Sequence, residues 1–108
     1  MRIGSLTRAQ KTSSGIGVGT DGHRVERAFG VTCLYGFFKD GGRFANYWCV
    51  VRSRGGARTA FVVTAICAVS HVGYDCPGNV YEYEVTDVWL FAAGEELPVT
   101  LQPEQPLP

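Results

Sequence analysis

A chain of 108 residues with 45% hydrophobic residues fits one domain with a modest core. Its 14 glycines and five prolines indicate many turns, but they follow no collagen-like or low-complexity period. The formal net charge is zero, which argues against a chain that binds nucleic acid through overall positive charge.

The charges are nevertheless divided between the two parts of the sequence. Residues 1–60 hold all ten basic side chains and three acidic ones, a net charge of +7. Residues 61–108 hold seven acidic and no basic side chains, a net charge of −7. Two interpretations follow. In the first, which we favour, the basic and acidic parts face each other within the fold or across an oligomer interface. In the second, the basic part forms an exposed surface for nucleic acid.

The first 23 residues predict a flexible or edge-lying N-terminal arm. Their glycine-rich stretch has the composition of a phosphate loop, but no apolar strand precedes it and no lysine closes it. The opening residues also lack the apolar core of a secretory signal peptide. The longest apolar run, residues 60–69, has about half of the ~20 residues that span a membrane. We therefore expect a cytoplasmic protein with free thiols and no membrane partner, although a virion location also fits.

From Val25 the pattern has period two and predicts a strand that runs to Phe38. One face of this strand would carry Val25, Phe29, Val31, Cys33, Tyr35 and Phe37. A helix over residues 25–34 is the alternative, but Gly30 and the β-branched neighbours favour a strand.

The following residues predict a meander with tight turns. FKDGGRF (residues 38–44) forms a hairpin turn before a strand at 44–52, and SRGGAR (53–58) forms a second turn before an apolar strand at 59–69. CPGN (76–79) predicts a Pro-Gly turn before the last strand at 80–91.

The predicted fold class is all-β, a small antiparallel meander of four strands, or five if an arm or the tail adds one. The strands form an antiparallel β domain at residues 24–93, between the arm (1–23) and a Pro-rich extended C-terminal tail (94–108). The central strands are apolar on both faces, so the sheet must curl into a barrel-like form or be covered. Because no helix is predicted, the cover is expected to be the arms or another subunit.

The four cysteines allow pairing without fixing it. If residues 40–42 form a three-residue hairpin loop, Cys33 lies directly opposite Cys49, close to disulfide distance. A two-residue turn would place it opposite Trp48 instead. Cys67 and Cys76 flank a predicted turn and can also approach each other. Without an export signal we favour reduced thiols, and spacing alone cannot choose among the three complete pairings.

The stretch from Ile66 to Asn79 brings together four reactive residue types, Cys67, His71, Asp75 and Cys76. Sulfur and imidazole suit zinc, but the stretch lacks the close ligand pair of structural zinc sites, so no metal or cofactor is expected. A thiol nucleophile at Cys76 is also disfavoured, because the adjacent carboxylate opposes thiolate formation. No catalytic residue is therefore predicted.

The predicted function is a non-enzymatic protein-interaction or structural module, a subunit of a homo-oligomer or of a larger assembly such as a virion or other particle. The aromatic candidates for partner contact are Tyr47, Trp48, Tyr81, Tyr83 and Trp89. One alternative is a small-ligand-binding barrel or small enzyme with a pocket lined by Tyr47, Trp48, Tyr83 and Trp89. Another, disfavoured by the zero net charge, is nucleic-acid binding through Arg43, Arg52, Arg54 and Arg58, with Trp48 stacking on a base.

Overall fold

The computed structural model describes residues 15–41, 46–69 and 76–108 and contains one antiparallel sheet. Its five strands are β1 (Leu34–Phe38), β2 (Asn46–Arg52), β3 (Arg58–Cys67), β4 (Tyr81–Phe91) and β5 (Val99–Pro106). Their order across the sheet is β4-β3-β2-β1-β5, so β1 to β4 form the predicted meander and β5 adds to the free edge of β1. The all-β prediction is confirmed, and the sheet is open rather than closed into a barrel.

One helix, α1 (Gly22–Phe29), occupies the first part of the predicted first strand. The Asp21 carboxylate caps its N-terminus by accepting a hydrogen bond from the backbone N–H of His23 (2.8 Å). Gly30 ends the helix in the left-handed conformation (φ 65°) and donates its N–H to the carbonyl of Glu26. The strand prediction is wrong here because both ends of the segment carry capping residues that satisfy the helix backbone.

The apolar side of α1 packs on one face of the sheet, which we call the first face. Val25 is fully buried there, and Phe29 stacks on Phe61 of β3 with ring centroids 5.5 Å apart. Spacing of four residues puts Val25 and Phe29 on the same side of a helix as well as of a strand, so the pattern did not separate the two. The expectation that only arms or another subunit cover the sheet is therefore wrong for this face.

Strands β1 and β2 pair in the register that a three-residue loop predicts. Leu34 opposes Trp48 and Tyr35 opposes Tyr47, although residues 42–45 of the turn itself lie outside the described residues. One step beyond, Cys33 and Cys49 form a disulfide. The second disulfide joins Cys67 to Cys76, so all four cysteines are paired and the expectation of reduced thiols is wrong.

Strands β3 and β4 pair along their whole length, with a bulge between Val62 and Val63. The two glycine turns predicted beside β3 and β4 are confirmed as short 3-10 turns at Arg54–Gly56 and Pro77–Asn79. Gly55 and Gly78 supply the positive φ angles of these turns, 82° and 73°. The meander is thus defined by turn chemistry that the sequence displays.

The segments on either side of the meander cover its two edges. Next to β4, the N–H of Gly19 donates to the Val85 carbonyl, and the N–H of Val85 donates to the Thr20 carbonyl, both at 2.8 Å. At the opposite edge, residues 99–106 of the predicted tail form β5. Pro103 and Pro106 have no N–H to donate, which protects this edge from strand addition.

Two apolar clusters, one on each face of the sheet, form the core. The first-face cluster lies beneath α1 and includes Ile16, Val25, Cys33, Cys49, Phe61, Val63, Val85, Val88 and Leu107. The second-face cluster consists of Trp48, Ala60, Val62, Phe91 and Val99. Alternate residues of each central strand belong to different clusters, which explains why these strands are apolar on both faces.

Candidate protein-binding surface

The aromatic residues proposed from the sequence separate onto the two faces of the sheet. Tyr47 and Tyr83 pack against the first-face cluster, whereas Trp48 and Trp89 belong to the second face. Tyr81, half-buried at the start of β4, opposes Cys67. The pocket expected between the two tyrosines and the two tryptophans is therefore not formed, because neighbouring strand residues point to opposite faces.

Four aromatic side chains form a continuous row on the first face, which we call the aromatic row: Phe37, Tyr35, Tyr47 and Tyr83. Tyr35 contacts Phe37 and Tyr47 with ring centroids 5.1 and 5.3 Å apart, and Tyr47 contacts Tyr83 at 5.8 Å. Interplanar angles of 82°, 68° and 85° show that each contact is edge-to-face, the arrangement that ring quadrupoles favour. The row thus extends over β1, β2 and β4.

Small and paired residues of the strands position the row. Tyr35 and Tyr47 are direct partners in the β1–β2 ladder, and the disulfide of Cys33 and Cys49 lies next to them on the same face. On the intervening strand β3, Ala65 opposes Tyr83 and is small enough to leave room for that ring beside Tyr47. Backbone register and a covalent cross-link therefore hold the rings in place.

The aromatic row is an accessible part of the first face. Phe37 is 47% exposed, and the three tyrosines are half-buried. Burial, followed by the neighbouring Tyr83 and Tyr35, raises the pKa of Tyr47 above its ordinary value of 10.0. At neutral pH the Tyr47 hydroxyl is therefore uncharged, and the row presents aromatic rings that carry phenolic hydroxyls.

The aromatic residues of the second face serve the core instead. Trp48 is 1% exposed and lies 5.7 Å from Trp89, which stacks on Phe91 at 6.1 Å. The guanidinium of Arg58 lies 5.8 Å from the Phe91 ring centroid and donates to the carbonyl of Glu95. Trp48 is too deeply buried to stack on a base or to anchor a partner.

Two of the basic candidates, Arg52 and Arg58, are direct partners across β2 and β3 and have carboxylates as neighbours. Arg52 and Arg58 line an open groove of about 700 Å³, whose other lining residues include Lys39, Glu95 and Glu96. Two carboxylates among three cations offset most of the positive charge expected of a nucleic-acid surface. Arg54 is exposed in the turn between β2 and β3, and Arg43 lies outside the described residues.

The second disulfide consumes both cysteines that the sequence offered as metal ligands or as a thiol nucleophile. Cys67 and Cys76 are bonded to each other, with Cα atoms 5.4 Å apart, so neither offers a thiolate to zinc or to a substrate. His71 and Asp75 lie outside the described residues. Across the parts of the chain that the structure describes, no three His, Cys, Asp or Glu residues are grouped to hold a metal ion.

Sequence reasoning missed Tyr35 and Phe37 as surface residues, although two signals pointing to their position were present. The period-two pattern places them on one face, and the three-residue loop register places Tyr35 opposite Tyr47. The missing information was which part of that face α1 covers. The covered area depends on how Val25 and Phe29 pack as residues of a helix. A strand prediction for the same residues leaves no helix to cover the face.

Fold and surface together define a small, open all-β domain with two disulfides and a half-exposed row of aromatic rings. No protein-family model, curated protein or solved structure matches the chain. Within the described ranges, no helix has the length and apolar character needed to cross a membrane.

Proposed function

We propose that this domain is a protein-interaction module without catalytic activity of its own, a subunit of an oligomer or larger assembly that engages its partner through the aromatic row. The supporting observation is the row itself, four rings in edge-to-face contact with Phe37 47% exposed. Aromatic side chains anchor protein interfaces because they bury a large area and lose little conformational entropy.

The rigidity of the row also supports this proposal. Tyr35 and Tyr47 are fixed by the β1–β2 ladder and by the adjacent disulfide of Cys33 and Cys49. A surface that is already ordered pays little additional entropy when a partner binds. The phenolic hydroxyls add hydrogen-bonding capacity to the apolar rings, a combination suited to a partly wet interface.

The two disulfides are relevant to the redox compartment in which the domain functions. All four cysteines are paired, and disulfides persist in oxidising compartments and at particle surfaces. We therefore infer that the domain works in an oxidising environment, or on the exterior of an assembly, rather than in a reducing cytosol. Alkylation of freshly extracted protein with a maleimide should label no thiol before reduction and four after it. Four labelled thiols before reduction would overturn this placement.

A photo-crosslinking amino acid at position 37 tests the interaction directly in the cells that produce the protein. Leu90 offers a matched control position, because it is also an exposed large hydrophobic residue on a strand, at 38%. The proposal predicts protein adducts at position 37 well above those at position 90, identified by mass spectrometry. Equal yields at the two positions would show that the row is not the contact surface.

A further inference from the structure

We infer that the partner of the aromatic row is a second copy of this chain, whose exposed proline segment, residues 103–106, packs against the row. This inference rests on the proposed function and names the partner. Three observations on the described residues support it: the exposure of the segment, its position beside the row, and the distribution of charge.

The proline segment is exposed but firmly held at both ends. All four of its residues are exposed, whereas Val99 before it and Leu107 after it are 2% and 8% exposed. The N–H of Leu107 donates to the Cys33 carbonyl (2.9 Å), which fixes the end of the segment. Extended proline-containing segments dock on aromatic-lined surfaces, and a segment that is already ordered does so at low entropic cost.

The segment and the row lie at the same margin of the sheet. In the β1–β5 ladder, Thr100 opposes Phe37 and Gln102 opposes Tyr35, so Pro103 directly follows the residue that pairs with the row. A two-fold axis near this margin would let each copy present its segment to the row of the other, which is the self-complementary arrangement of a symmetric dimer. Because Pro103 and Pro106 have no N–H to donate to a further strand, the contact is made by side chains.

Charge favours a second copy over an unrelated protein. The residues of the row on β1 and β2 come from the part of the chain that carries +7, and the segment comes from the part that carries −7. Helix α1, on the same face as the row, exposes Arg24 and Arg27, and the segment exposes Glu104. None of these three charges forms an ion pair with another described residue. Exposed arginines on the side of the row and an exposed carboxylate on the segment favour their pairing across a symmetric contact.

Sedimentation equilibrium of the full chain tests the inference. The wild-type protein should dimerise reversibly, and Phe37→Ser should weaken the dimer about tenfold or more, as expected when a central aromatic contact is lost. The double variant Pro103→Ser/Pro106→Ser should weaken the dimer to a similar extent, because it alters the other side of the same interface. Leu90→Ser is the matched control and should leave the dimerisation constant unchanged. Circular dichroism and intact mass would establish that each variant is folded with both disulfides formed.

A charge exchange tests the orientation. Glu104→Arg and the double variant Arg24→Glu/Arg27→Glu should each weaken the dimer, and their combination should restore part of the affinity. Glu96→Arg, at an exposed carboxylate of the groove, is the control. Failure of the combination to recover affinity would overturn the proposed pairing of these charges.

The two proposals fail in different ways. A wild-type chain that stays monomeric up to its solubility limit, while position 37 crosslinks to a different protein, overturns the second-copy inference and leaves the interaction module standing. A dimer that is insensitive to both the row and the segment variants also overturns this inference. A monomer with no adducts at position 37 overturns both.

Discussion

Cys33 and Cys49 face each other directly across β1 and β2, joined by a disulfide with their Cα atoms 4.1 Å apart. Both cysteines are fully buried, and the next pair on the same face is Tyr35 and Tyr47 of the aromatic row. The backbone N–H of Cys33 also donates to the Glu26 carboxylate of α1 (2.9 Å). One buried residue therefore connects the helix, the two strands and the proposed binding surface.

Removing either disulfide should destabilise the domain measurably. The 16-residue separation of Cys33 and Cys49 corresponds to about 3 kcal/mol of unfolded-state entropy, and the nine-residue separation of Cys67 and Cys76 to slightly less. We expect the alanine double variants to lose about these amounts in the free energy of unfolding, measured in urea. A loss well under 1 kcal/mol for both pairs would contradict the structure. The intact mass of the native chain should be two hydrogen atoms lower for each bridge.

The ends of α1 provide a second prediction. Asp21→Ala should cost about 1 kcal/mol in the free energy of unfolding, because the N–H of His23 loses its acceptor. Gly30→Ala should cost about as much, because an alanine is strained at φ 65°. Arg24→Ala, at an exposed position of the same helix, is the control and should stay within about 0.5 kcal/mol. Neutral values for both end variants would argue for the strand that the period-two pattern predicted.

The strands and their register were accessible from the sequence because local chemistry specifies them. Positive-φ glycines such as Gly55 and Gly78 mark the turns, and the spacing of the first hairpin places Cys33 opposite Cys49. Helix α1 was not accessible in the same way, because the spacing of Val25 and Phe29 fits the period of a helix as well as the period of a strand. Gly30, taken as evidence against a helix, lies just past its end, where glycine is favoured.

The chemistry of the site was less accessible for a different reason. Spacing showed that Cys33 and Cys49 are close enough to bridge, but the redox state of a thiol depends on its compartment, which the strand pattern does not encode. Of the aromatic residues that the sequence grouped together, Tyr47 and Tyr83 lie on the first face, whereas Trp48 and Trp89 lie on the second. Once two neighbouring residues such as Tyr47 and Trp48 are both assigned to one strand, they cannot line one surface.

The raised pKa of Tyr47 predicts a specific loss of stability at alkaline pH. The unfolded chain ionises this group near pH 10, whereas burial and the neighbouring tyrosines keep it neutral to higher pH in the folded protein. Its contribution to stability is therefore complete below about pH 10 and is lost as pH rises through the folded-state pKa. The free energy of unfolding of Tyr47→Phe should fall less steeply than that of wild type as the pH rises above about 10. Parallel profiles would contradict the buried environment of this hydroxyl.

The last residues of the chain should behave as part of the core rather than as a tail. Leu107 is 8% exposed, belongs to the first-face cluster, and brings its Cδ2 atom within 2.9 Å of where a Cβ on Gly22 would lie. Leu107→Ala should therefore cost about 2–3 kcal/mol in the free energy of unfolding, the lower part of the range of about 2–5 kcal/mol for a buried leucine. Gln105→Ala, at an exposed position two residues earlier, should cost less than about 0.5 kcal/mol. Equal, small losses for both variants would show that residues after β5 do not hold α1 against the sheet.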